Sequence, residues 1–248
     1  MCPQRTLMPP TPTDPPAYSV QIYAHRGLWV GHYPENSIEA FRAARRFGFP
    51  SECDIWQTAD GQPVVIHDAT LDRTTTGSGP VHQFTEADLR EVHGRMEGMP
   101  AQFLPIPMLK DVADWVSLVE VKPPNAQELI EHTIRTMAGR KWTLQSFDPA
   151  NLRHALEEDP RLPVTLLVED ADGIETAISE RWNVNVDHKL LDDRIAGRLT
   201  DAGLDFGVWT VNTEDELLRI LPWRPSAVIS DQPQLIRSIL VRSGIACA

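Results

Sequence analysis

Apolar positions along the chain switch repeatedly between two spacings. Short apolar or alternating runs predict strands at Val20–Ala24, Glu52–Thr58, Ser117–Lys122, Trp142–Phe147, Pro163–Glu169, Trp182–Asp187, Asp205–Val211 and Ala227–Asp231. Between most of them the apolar residues recur at helical spacing. Helices are predicted at Ser37–Phe47, Met108–Val116, Ala126–Met137, Pro149–Glu158, Asp172–Arg181, Asp192–Asp201, Glu214–Leu221 and Gln234–Arg242. The first is well bounded: Asn36 or Ser37 can cap it, Ile38, Phe41 and Phe47 share a face, and Gly48 can end it. Asp148-Pro149 starts another, because proline is tolerated in a first turn.

Strands that alternate with helices pair in parallel. Eight such units in a chain of 248 residues predict a TIM (β/α)8 barrel, with a doubly wound open sheet as the alternative. The rhythm breaks once. Val64–His67 follows the turn Ala59-Asp60-Gly61 and reads as a hairpin extension of the second strand. Residues 69–107 then form an insertion after that strand, where a short loop is expected. Residues 1–19, with six prolines among the first 16, read as a mobile or extended arm, and residues 20–248 as a single domain.

Composition narrows the picture. Residues are 42% hydrophobic and 23% charged, an ordinary globular balance. The net charge of −12 argues against nucleic acid as a partner, since such binding needs a basic surface. Cys2, Cys53 and Cys247 form no disulfide framework or cysteine zinc site. No apolar run reaches the ~18–20 residues of a membrane span. The N-terminal segment is too proline-rich for a signal peptide, so a cytoplasmic location is expected. Oligomeric state has no signal in the sequence.

Barrel chemistry gathers at the carboxyl ends of the strands. Glu52 and Asp54 share one face of the second strand, as Glu120 and Lys122 do on the third. Each carboxylate alone reads as a solvated strand end. Three aimed into one mouth repel unless a cation offsets them, and oxygen donors favour Mg2+ or Ca2+. His25 and His67 are candidates for proton transfer, although a lone histidine after an apolar strand is more often structural. Arg26 and Lys122 suit an anion such as phosphate. Trp209 is either core or a cover for one substrate face.

In order, the chain holds His25-Arg26-Gly27, Pro34-Glu35-Asn36-Ser37, Glu52-x-Asp54, Asp60-Gly61-x-Pro63-Val64-Val65-x-His67-Asp68 and Leu71-Asp72-Arg73-Thr74-Thr75. VEVK, QSFDP, VWTVNT and SDQP follow, ending at Pro233. This series, over about residues 22–233, resembles the glycerophosphodiester phosphodiesterase family. The resemblance implies a TIM barrel with a small insertion after the second strand. It implies metal-dependent hydrolysis of a small-molecule glycerophosphodiester to sn-glycerol 3-phosphate and an alcohol. By motif match Glu52, Asp54 and Glu120 would be the metal ligands, and His25 and His67 the catalytic pair. Arg26 and Lys122 would hold the phosphate, Glu35 and Asn36 would shape the mouth, and Trp209 would line the alcohol or glycerol side. A cyclic phosphate is an expected intermediate if the glycerol's own hydroxyl attacks. Two other readings stand beside this one. A phospholipase D-like relative would act on lipids or lysolipids, with Met96, Met99, Phe103 and Leu104 as an apolar rim. A non-catalytic phosphodiester-binding barrel would have lost a ligand or a histidine.

Overall fold

The alternation of strand and helix closes into a ring. The computed structural model describes residues 18–96 and 104–247. Its strands are β1 (Ser19–Ala24), β2 (Ser51–Gln57), β3 (Pro63–Val65), β4 (Val116–Val121), β5 (Thr143–Ser146), β6 (Val164–Val168), β7 (Asn183–Asp187), β8 (Phe206–Trp209), β9 (Ala227–Ser230) and β10 (Ala246–Cys247). Its helices are α1 (Ile38–Arg46), α2 (Glu86–Leu89), α3 (Leu109–Val112), α4 (Gln127–Thr136), α5 (Pro149–Glu158), α6 (Ala171–Glu180), α7 (Asp193–Asp201), α8 (Glu214–Ile220) and α9 (Pro233–Arg242).

Eight parallel strands, β1, β2 and β4 to β9, form the barrel. β1 closes it by pairing with both β9 and β2. The two joints differ: β1 and β9 share four register pairs, whereas β1 and β2 share only Ala24↔Ser51. The predicted strands all appear. β3 turns back antiparallel on β2 through a tight bend, in which Thr58 Oγ1 donates to Asp60 Oδ1 at 2.6 Å and Gly61 takes φ 77°. β10 lies parallel to the start of β1, outside the ring.

Capping explains the helix boundaries. Ser37 accepts from the Ala40 amide at 3.2 Å, Glu39 sits in the first turn of α1, and Arg45 and Arg46 sit in the last, as the helix dipole favours. Asp148 caps α5 ahead of Pro149. One helix is shorter than its pattern predicts. α3 spans only Leu109–Val112, because Val116 is drawn into β4, opposite Ser51 of β2.

The main core lies between the ring and its helices, with Phe41, Ile55, Leu129, Leu144 and Val208 fully enclosed. Between β3 and α3 the chain builds a second cluster of Val64, Ile66, Leu71, Val81, Leu89, Ile106 and Met108. There, Thr85 and Asp88 form a capping box on the four-residue α2. Residues 1–17 of the expected arm, and Met99 and Phe103 of the expected rim, lie outside the described residues; Ser19 is already in β1. No helix among the described residues is long and apolar enough to cross a membrane.

The loop after β1 is tightly built. Gly27 adopts φ 82°, and a Cβ there would lie 2.7 Å from the Ala40 carbonyl carbon. Gly27→Ala therefore combines left-handed strain with a clash against helix backbone. It is expected to cost about 2–4 kcal/mol, read as a lower denaturation midpoint at unchanged m-value.

Candidate active site

The strand register brings the predicted acids together. Glu52 and Asp54 lie two residues apart on β2, and Asp54 sits directly beside Glu120 of β4. Cys53, between the first two, turns the other way into the hydrophobic core. Oxygens of Glu52, Asp54 and Glu120 all fall within 4.8 Å of one another, and the three side chains are buried.

Burial and mutual repulsion make this cluster costly. Burial pushes Glu52 well above the usual carboxylate range, and Asp54 and Glu120 push it further. Glu120 rises to about 7, through burial and then its neighbour Asp54. Burial acts upward on Asp54 too, but Arg26 and Lys122 outweigh it and hold Asp54 below the usual range. Arg26 Nε lies 3.1 Å from Asp54 Oδ2, and Lys122 Nζ lies 2.8 Å from Glu120 Oε1 and 3.5 Å from Asp54 Oδ1. Asp54 Oδ1 is buried and accepts no hydrogen bond. Two acids short of countercharge and one unsatisfied oxygen, all oxygen donors in one small space, fit a hard divalent cation.

The groups around the cluster hold it in place. The Arg26 amide donates to Glu52 Oε2 at 3.1 Å, and Asn36 Nδ2 donates to Asp54 Oδ2 at 2.8 Å. Both donors belong to residues at φ 56°, a left-handed conformation uncommon for non-glycine residues and held here by these contacts. Gln145 Nε2 donates to Glu52 Oε1 at 3.3 Å, and Asn185 Nδ2 supports Gln145 Oε1 at 2.9 Å.

Each predicted histidine has its own carboxylate. His25 Nδ1 lies 2.7 Å from Asp231 Oδ1, and His67 Nδ1 lies 2.7 Å from Asp68 Oδ1. Asp231 is part-buried, which acts upward, but His25 and Asn212 Nδ2, at 2.7 Å, hold it below its ordinary pKa. Asp68 is held low chiefly by Arg73, whose guanidinium bridges Asp68 and Glu35 at 2.7–3.0 Å. Ionised carboxylates only accept, so each imidazole carries its proton on Nδ1. Nε2 is left without a hydrogen-bond partner among the described residues. His67 itself is held below its ordinary pKa, first by burial and also by Arg26 and Lys122.

Both histidines, Arg26, Glu52, Glu120 and Lys122 line one cavity of about 210 Å³, whose far wall includes Phe147 and Trp209. A larger hollow of about 930 Å³ lies at the amino ends of the strands, around Gln21, Ser117 and Thr143; its described lining holds no histidine and a single carboxylate, Asp159. The candidate acid, base and anion-binding residues therefore gather at the smaller cavity. All ten residues singled out from the sequence fall at this end of the barrel. Glu35 sits one step back from the cavity, bonding Arg26 at 2.9 Å. Trp209 is not core: it is half-buried, and its Nε1 donates to Asn185 O at 2.7 Å. Sequence reasoning gave no role to Asp68, Arg73, Gln145, Asn185, Asn212 or Asp231. Asp68, Arg73, Gln145, Asn212 and Asp231 stand inside quoted motifs; Asn185 has no such signal.

The chain is similar to known proteins in sequence and in fold. The glycerophosphoryl diester phosphodiesterase family profile matches residues 25–235. YhdW of Bacillus subtilis, provisionally named a glycerophosphodiester phosphodiesterase, is 30% identical over 87% of this chain and 96% of its own. A glycerophosphodiester phosphodiesterase of Caldanaerobacter subterraneus is 25% identical over 90% of this chain and 98% of its own. A crystal structure from Silicibacter pomeroyi superposes with TM-score 0.84 at 22% identity, covering 94% of this chain and 96% of that one. An Oleispira antarctica phosphodiesterase, solved with its product sn-glycerol-3-phosphate, gives 0.81 at 24% identity, covering 90% and 98%. With its profile match running from His25 at the mouth of β1 into α9, this chain belongs to the glycerophosphoryl diester phosphodiesterase family.

Proposed function

We propose that the chain hydrolyses glycerophosphodiesters to sn-glycerol 3-phosphate and an alcohol, with Mg2+ or Ca2+ held by Glu52, Asp54 and Glu120. One observation carries the reading: two carboxylate-oriented histidines share a cavity with Glu52 and Glu120 of a buried, undercompensated trio of acids. A bound divalent cation would neutralise phosphate charge and lower the cost of the extra negative charge in the transition state. Arg26 and Lys122 add fixed positive charge on the same wall. With the proton of each imidazole on Nδ1, Nε2 is the atom that takes or gives a proton. One histidine draws the proton from the attacking hydroxyl, and the other returns one to the departing alkoxide. The attacker is the adjacent hydroxyl of the glycerol moiety, which gains from its proximity and leaves a cyclic phosphate. Water then opens the ring with the two histidine roles exchanged.

Glycerophosphodiesters incubated with Mg2+, with Ca2+ and with a chelator test this directly. Release of sn-glycerol 3-phosphate that stops on chelation and returns with cation is the expected result. Release unchanged by the chelator, or a diester cleaved on its other side, overturns the proposal.

A further inference from the structure

The mouth of the barrel is divided by charge. The histidines, the acid cluster, Arg26 and Lys122 come from β1, β2, β4 and the turn after β3. The opposite wall is built at the ends of β5, β6 and β8 by Phe147, Glu169 and Trp209. Phe147 and Trp209 meet edge to face, with ring centroids 5.6 Å apart and planes at 89°. Phe147 is 41% exposed, so its ring is open to the cavity as well as packed on Trp209. Trp209 is fixed by its bond to Asn185 O, so its ring presents a constant surface.

Glu169 is the group that the fold and the proposed reaction leave unused. Its neighbour Asp170 caps α6 by accepting from Gly173 N at 2.8 Å. Glu169 is exposed on the cavity wall and has no hydrogen bond or ion pair among the described residues. A free carboxylate beside two aromatic rings attracts a weakly hydrated cation through charge and ring quadrupole together. It does so across a cavity whose other wall carries Arg26 and Lys122, suited to an anion. The cavity thus matches a zwitterion: phosphate at one end, ammonium at the other.

We propose that Glu169, Phe147 and Trp209 form a subsite for a substituted ammonium group on the leaving alcohol, so that choline-type diesters are preferred over uncharged ones. This rests on the reading of the chain as a glycerophosphodiester hydrolase and adds its substrate class. A quaternary ammonium fits best, because it gives up little hydration when it meets the rings. Glu169 touches the leaving group and takes no part in proton transfer, so its loss acts on recognition.

The test compares kcat/KM for glycerophosphocholine and glycerophosphoglycerol in the metal-loaded wild type and in Glu169→Gln. The wild type is expected to favour the choline diester by about tenfold. Glu169→Gln is expected to lower kcat/KM for that diester about five- to tenfold, mainly through KM, and to leave the glycerol diester within twofold. Tetramethylammonium should inhibit the wild type more strongly than the variant. Equal efficiency on both diesters, or an equal effect of Glu169→Gln on both, overturns the subsite while leaving the hydrolase reading intact. Cleavage of neither diester overturns both.

Discussion

His67→Ala and His25→Ala should each reduce kcat by ~10²–10⁴-fold, the usual contribution of one general acid or base. Each imidazole is held by its own carboxylate and keeps one ring nitrogen free, and the proposed reaction needs two separate proton transfers. Both side chains are only part-buried, so folding should survive, which circular dichroism and an unchanged denaturation midpoint would verify. Asparagine variants of Asp68 and Asp231 offer a graded companion. Each keeps the shape of the partner but can hold the imidazole as the other tautomer, so a smaller loss in kcat with little change in KM is expected. Activity near wild type in either alanine variant, with cation present, removes that histidine from the mechanism.

Glu120→Gln should lose activity and gain stability at once. Its amide can accept from Lys122 and donate to Asp54, turning a repulsive contact into a hydrogen bond. In chelator at neutral pH the variant should be more stable than wild type by about 1 kcal/mol or more, as when buried charge is replaced by a neutral group of the same shape. The pH dependence supplies an internal control. Because the folded protein holds the Glu120 proton up to about 7, wild type without cation loses stability as pH rises from the ordinary carboxylate range towards that value. The variant should lose less over the same interval. Activity should fall by ~10²–10³-fold, comparable to removing one electrostatic contact to a transition state. The rise in melting temperature on adding Mg2+ or Ca2+ should shrink as well. A variant that keeps both full activity and the full thermal response to cation would show that Glu120 holds no metal.

The barrel is readable in the sequence because each of its strands and helices carries its own local marking. Ser37, Asp148 and Thr213 cap helices where the chain supplies an oxygen side chain. Val116 was harder, since its apolar side chain suits the end of a helix as well as the start of a strand; pairing with β2 decides it. Inside the segment between β3 and α3, α2 and the 3-10 turn at Val81–Gln83 are too short to build a periodic signal. The acids of the site were legible because alternation on a strand fixes which residues share a face. The orienting groups were not. Asn212 meets Asp231 only because β8 and β9 are adjacent, and Asn185 reaches Gln145 only across the interior of the ring. Trp209 could not be decided in advance, because an indole serves equally well inside a core or along a cavity.

The single register pair between β1 and β2 leaves that joint with less backbone pairing than its counterpart at β9. What spans it instead is the Arg26 amide on Glu52 and, from the following loop, the Asn36 amide on Asp54. Ring closure and the order of the acid cluster therefore draw on the same few bonds. A substitution at any of these positions acts on both at once, and a redesign that swaps these acids for another chemistry would also need to supply a new clasp for the cylinder.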